Sequence, residues 1–157
     1  MADDKTFLVR ATEHLDDVQS LRHPLNPKSL TQQRRLSTFA GLQRTGVTHV
    51  RIPPGHESFL YHTHEREEEW LYVLSGRGIA EIGDSEFEVG PGDFMGFPTP
   101  SVGHHLRNSS DEDLVYLMGG ERREMEVADF PRLKKRMYRN GANVDLVDVE
   151  HVRRFRP

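Results

Sequence analysis

The sequence has no cysteine among its 157 residues. Disulfides, thiolate nucleophiles and zinc–thiolate sites are therefore excluded together. It also has no long apolar stretch. A run such as Trp70 to Leu74 falls far short of the roughly 20 residues that a membrane helix needs. The opening Met1-Ala2-Asp3-Asp4-Lys5 carries acids where a secretory signal carries bases and then an apolar stretch. The expected location is the cytoplasm. Hydrophobic residues are 35% and charged residues 29%, which is polar for a globular domain but too apolar for a disordered chain. A chain of this length makes one domain and buries roughly 70% of its unfolded surface.

Charge of one sign is scarce in places. Residues 51–129 hold 17 acids against 6 bases, residues 130–157 hold 3 against 8, and residues 1–50 hold 5 against 7. An acidic middle is a poor surface for a nucleic acid. The basic tail, with Lys134-Lys135-Arg136 and Arg153-Arg154, is read as a segment that complements the acidic body. No nucleic-acid or membrane partner is expected.

Residues 1–35 read as an irregular lead-in, broken by His23-Pro24-Leu25-Asn26-Pro27, with one or two helical turns over Thr31 to Leu36. Residues 36–119 read as short strands punctuated by Gly, Pro and Asp. The strands are Val47 to Ile52, Ser58 to Thr63, Glu68 to Ser75, Gly78 to Ile82, Ser85 to Val89, Asp93 to Phe97, His104 to Asn108 and Asp113 to Met118. Gly83-Asp84 is a two-residue hairpin signal. Such spacing without intervening helices indicates an all-β sandwich or barrel. Residues 120–157 form a charged extension with a late strand at Val144 to Val149. In Glu68 to Ser75, one face carries Glu69, Leu71 and Val73 and the other Trp70, Tyr72 and Leu74. Two apolar faces call for two covers. The tail or a second subunit must pack on Trp70 and Tyr72, and a homodimer is expected.

His62-Thr63-His64 places two imidazoles on one face of a strand. Leu60 shares that face, Glu69 shares its own with Leu71 and Val73, and His104 shares its own with Leu106. These parities aim His62, His64, Glu69 and His104 at the interior. Three imidazoles and a carboxylate with no sulfur suit one divalent ion of Mn, Fe, Co, Ni or Zn. Open coordination positions would remain for water or substrate. His105 alternates with Arg107 and is expected outside or at a subunit contact. The acid run Glu65 to Glu69 is read as a solvated turn, His56 as exposed, and His49 as surface or rim. Phe59, Trp70, Phe94, Met95 and Phe97 are core, interface or cavity residues. Arg51, Tyr61, Arg77 and Arg107 are candidates for an anionic substrate if one of them points inward.

Gly55, six residues, His62-Thr63-His64, four residues, Glu69, six residues and Gly76 resemble the first cupin motif. Gly92, five residues, Pro98, then His104, three residues and Asn108 resemble the second. Together they cover about half of the chain. The second departs from the family pattern by one extra residue and a second proline in Pro98-Thr99-Pro100-Ser101-Val102-Gly103-His104. Counting back from Asn108 selects His104, on the Leu106 face. The resemblance, to compact single-domain bacterial cupins, implies a double-stranded β-helix (jelly-roll) barrel. It implies one metal ion per subunit, held by His62, His64, Glu69 and His104. It leaves the reaction open, because this fold carries many chemistries. A metal-dependent enzyme on a small carbonyl or carboxylate compound is expected, of dioxygenase, isomerase or decarboxylase type. The alternative is a non-catalytic module that binds a sugar or small acid around a structural metal.

Overall fold

The computed structural model describes residues 7–12 and 18–155. The acidic opening Met1 to Lys5 lies outside the described residues. The chain is mostly β, and its strands form a jelly-roll barrel. In order they are β1 (Gln19–Leu21), β2 (Thr31–Arg34), β3 (Thr45–Ile52), β4 (Thr63–His64), β5 (Glu69–Ser75), β6 (Gly78–Ile82) and β7 (Ser85–Val89). There follow β8 (Phe94–Phe97), β9 (His104–Arg107), β10 (Leu114–Glu121), β11 (Met125–Phe130), β12 (Lys135–Asn140) and β13 (Asn143–Asp148). One sheet runs β1-β2-β3-β10-β5-β8, a second β7-β6-β9, and a third β13-β12-β11-β4.

Alternation along the strands builds the interior. Val50 and Ile52 of β3, Leu71 and Val73 of β5, Met95 and Phe97 of β8, and Leu114 and Tyr116 of β10 all turn inward. They meet Ala80, Val89 and Leu106 from the facing three-stranded sheet. Burying each large side chain contributes about 1.5–3 kcal/mol. The turns match their residues. Gly83 at φ +59° joins β6 to β7, as the first central residue of a two-residue hairpin loop allows. Gly76 has φ +77°, and a Cβ there would collide with the Asp113 carbonyl. Asn108, almost fully buried, donates from Nδ2 to the carbonyls of Ile52 (2.8 Å) and Glu112 (2.7 Å).

Two expectations need correction. Thr31 to Arg34 is a strand rather than helical turns, because Gln32, Gln33 and Arg34 pair with Arg51, Val50 and His49 of β3. A short α-helix, α1 (Leu36–Phe39), follows it. Ser58 to Thr63 is not a continuous strand: residues 58–62 make only isolated contacts, such as Ser58 N–H to Leu106 O at 2.8 Å, and regular pairing begins at Thr63. Of the two covers open for the outer face of β5, tail or second subunit, the described residues of the tail do not supply one. Tyr72 and Leu74 stay 40% exposed and Phe94 64%, since the extension pairs with β4 instead.

The extension's cations do meet the acidic body. Arg132 bonds Glu81 at 2.6 Å and Arg139 pairs with Glu67, while Arg136 grips Asp129 of the extension's own β11 with two bonds of 2.6 Å. The late strand appears as β13, at Asn143–Asp148. Among the described residues, no helix is long and apolar enough to cross a membrane.

Candidate metal centre

Backbone pairing brings the four expected residues together. His62 and His104 face each other across a bridge, with His62 N–H to His104 O at 3.2 Å and His104 N–H to His62 O at 2.9 Å. His64 lies two residues on, on β4. Its N–H donates to Ser101 Oγ at 2.7 Å, and its carbonyl accepts from Ser101 N–H at 2.7 Å. The proline-rich loop that departs from the family pattern is thus docked onto the His-x-His segment, and the extra residue leaves His104 facing inward. Glu69 opens β5 opposite Phe97 of β8. The Phe97 ring stacks on His104 with centroids 3.7 Å apart and planes 8° from parallel.

Donor atoms of His62, His64, Glu69 and His104 all lie within 4.8 Å of one another. His62 Nδ1 is 2.6 Å from the Leu60 carbonyl, and His104 Nδ1 is 3.0 Å from the Val102 carbonyl. A carbonyl only accepts, so both Nδ1 atoms carry hydrogen and a neutral ring directs its Nε2 lone pair into the cluster. There His62 Nε2 lies 3.1 Å from His64 Nε2, and His104 Nε2 lies 2.8 Å from Glu69 Oε2. His64 Nε2 is 3.7 Å from the same carboxylate oxygen. Acceptors this close repel unless protons or a cation stand between them. Ligands at about 2.0–2.2 Å on adjacent positions of one ion are roughly 3 Å apart. The observed separations fit that requirement, and the donor set suits a borderline first-row ion.

Electrostatics agree. Burial pushes the His62 imidazole down to about 4, partly opposed by Glu69, so its ring is neutral at physiological pH. Burial also lowers His64, but Glu69, Glu126 and Glu67 outweigh it and hold this imidazole above its ordinary value. Burial would raise the Glu69 carboxyl, yet the neighbouring His104, His64 and His62 imidazoles keep it well below the usual range. Metal binding must expel the proton on His64. Affinity for a divalent ion should therefore fall as pH drops through the raised His64 value, and fall again as His62 takes up a second proton. Equilibrium dialysis against Mn²⁺ or Zn²⁺ from pH 8 down to pH 4 should show affinity falling with about one proton at first and more steeply as the His62 value of about 4 is approached. Metal occupancy that stays flat across that range would contradict a histidine-rich site.

The cluster lies in a cavity of about 230 Å³. Leu71, Ile82, Met95, Phe97 and Leu106 form its apolar wall, with Phe59 and Tyr116 beside them. Of the aromatic and Met candidates, Phe59, Met95 and Phe97 line it, whereas Trp70 and Phe94 do not. None of the proposed anion binders lines it. Arg51 pairs with Asp113, Arg107 with Glu86, and the Tyr61 hydroxyl donates to the Gly83 carbonyl under the Arg132 guanidinium.

His105 does not lie outside as expected. It is 6% exposed, with its ring nitrogens 3.6 Å from Glu57 and 3.7 Å from Glu81. Parity places it opposite Leu106, as expected, but Glu57 and the extension's Arg132 enclose that side. The acid run is not wholly solvated either. Glu67 is 8% exposed, bound to Arg139 and to the Arg123 N–H. His56 is half-buried and bonds the Lys28 carbonyl. Glu126, which sequence reasoning did not single out, is buried beside His64 with Oε1 3.8 Å from Nδ1. Its only sequence signal is a carboxylate sharing a strand face with Ala128.

Comparison with known proteins agrees with this architecture. A family profile described as the cupin domain matches residues 48–120. The chain is 36% identical to a crystal structure from Acidithiobacillus ferrooxidans, provisionally named a sugar phosphate isomerase. That match covers 99% of this chain and 100% of the other, with a TM-score of 0.93. A sugar phosphate isomerase of the cupin superfamily from Silicibacter pomeroyi is 25% identical, covering 87% and 92% of the two chains with a TM-score of 0.78. An oxalate decarboxylase of Arthroderma benhamiae is 43% identical over 74 residues, which is 43% of this chain and only 17% of that protein's length. With the barrel and both histidine motifs in place, the chain belongs to the cupin superfamily.

Proposed function

We propose that the protein is a metal-dependent cupin enzyme that isomerises a small phosphorylated sugar. The observation that carries the metal part is the convergence of three imidazole nitrogens and one carboxylate inside a mostly apolar cavity. The full-length likeness to a protein provisionally named a sugar phosphate isomerase supports the substrate class. A divalent ion held by His62, His64, Glu69 and His104 would supply Lewis acidity for a carbonyl or hydroxyl oxygen. The chain's own residues do the rest. Leu71, Ile82, Met95, Phe97 and Leu106 exclude water from the reacting carbons. Burial, with Glu69, raises the Tyr116 phenol, so it stays protonated and able to donate a hydrogen bond within the cavity.

The test is proton exchange. Metal-loaded protein is incubated in D2O with aldose and ketose phosphates, and NMR follows deuterium entry at the carbon next to the carbonyl. The reading expects interconversion with deuterium incorporation. Release of CO2 from oxalate instead would favour the decarboxylase likeness. Tight binding of a sugar phosphate with neither reaction would favour the non-catalytic module.

A further inference from the structure

We propose that Glu126, contributed by the C-terminal extension, is a positioning residue that orients His64 and strengthens it as a ligand. The inference rests on the metal reading above. Pairing between β4 and β11 sets Ala128 opposite His64, which places Glu126 two residues along the same face. The Glu126 side chain is 1% exposed. Its Oε1 accepts from the N–H groups of Glu65 (3.0 Å) and Arg66 (3.3 Å), which fixes the carboxylate beside the imidazole.

Two buried polar atoms of this pair lack partners. Glu126 Oε2 and His64 Nδ1 are both inaccessible to solvent and make no hydrogen bond. If His64 Nε2 is a ligand atom, Nδ1 must carry the hydrogen. A buried N–H without an acceptor is costly, and so is a buried carboxylate oxygen without a donor. They lie on one side of the same ring, with Nδ1 and Oε1 only 3.8 Å apart. A shift of about 1 Å in the ring brings Nδ1 and Oε1 to hydrogen-bond distance and removes the cost of the unpaired N–H. A metal-bound imidazole usually donates its other N–H to a carboxylate or carbonyl, which sets ring orientation and raises ligand basicity. Leu60 and Val102 carbonyls do this for His62 and His104. Among the described residues, Glu126 is placed to do so for His64, with a full negative charge. Glu67 comes near the same ring, but Arg139 and the Arg123 N–H already hold it. The pair is therefore an orienting device rather than a second cation site.

The test compares Zn²⁺ affinity of the full chain with that of Glu126→Gln and Glu126→Ala. Glutamine can keep the bonds from Glu65 and Arg66 while removing the charge. Both variants should bind Zn²⁺ about 10–100-fold more weakly, with Glu126→Gln folded to the same circular-dichroism spectrum. In nitrogen-15-labelled, Zn²⁺-loaded protein, the His64 Nδ1–H proton should resonate downfield in the wild type and move upfield in both variants. Wild-type affinity in Glu126→Gln, with the His64 signal unmoved, overturns this proposal alone. A wild-type chain that binds no divalent ion overturns the metal reading and this proposal with it.

Discussion

Alanine in place of His104 should strip the protein of its metal, whereas alanine in place of the adjacent His105 should leave metal content unchanged. The two residues are neighbours on β9 but face opposite sides of it. His104 Nε2 points at Glu69 and the other imidazoles, while His105 lies between Glu57 and Glu81. Losing a residue that merely supports a ligand weakens binding by roughly 10–100-fold. Losing one of four direct donors should cost more than that, and His62→Ala should behave like His104→Ala. Alanine at His104 also leaves the Phe97 ring without its stacking partner, so both variants should be compared with wild type by circular dichroism. Metal analysis after gel filtration gives the outcome directly. Normal metal in folded His104→Ala would remove His104 from the ligand set.

A second large effect is expected on size. We propose that the outer face of β5 and β8 is covered by a second copy of the chain, giving a dimer of twice 18.1 kDa. Tyr72, Leu74 and Phe94 are exposed there. Trp70 stacks on Phe94 with centroids 6.3 Å apart, and its indole lies against Gly119, where a Cβ would collide with it. Leu117 stands opposite Tyr72 on β10 and extends the apolar row. Each large side chain left in water forgoes about 1.5–3 kcal/mol, and a patch of this kind marks an interaction site. β8 is also the free edge of its sheet. The charge asymmetry lends less support than the sequence suggested, because Arg132, Arg136 and Arg139 are already paired within the chain. Sedimentation at micromolar concentration should show the dimer, and the double variant Tyr72→Glu, Phe94→Glu should sediment as a monomer. Both side chains are exposed in the single chain, so the substitution should spare the fold. A wild-type monomer would contradict the proposal.

Parity made the site legible. His62 and His64 are two apart, and Leu60, Leu71, Val73 and Leu106 mark the interior faces that Glu69 and His104 share. Leu60, Leu71, Val73, Leu106 and His104 are buried as the pattern requires. Turn chemistry likewise gave the hairpin at Gly83 and the strand limits of β6 and β7. What the pattern could not give is what covers a face from far along the chain. His105 is enclosed by Glu57 and Arg132 rather than by solvent, and Glu126 reaches the amide of a residue 61 positions away. Thr31 to Arg34 misled for the same reason. Its polar Thr-Gln-Gln-Arg has weak strand propensity, and it becomes a strand only because β3 offers an edge to pair with.

Elemental analysis of freshly purified protein tests the central claim most directly. The arrangement of His62, His64, Glu69 and His104 predicts close to one divalent transition-metal ion per chain, removed by a chelator and restored by dialysis against the same metal. Protein that carries no such ion, and takes up none at neutral pH, would contradict it.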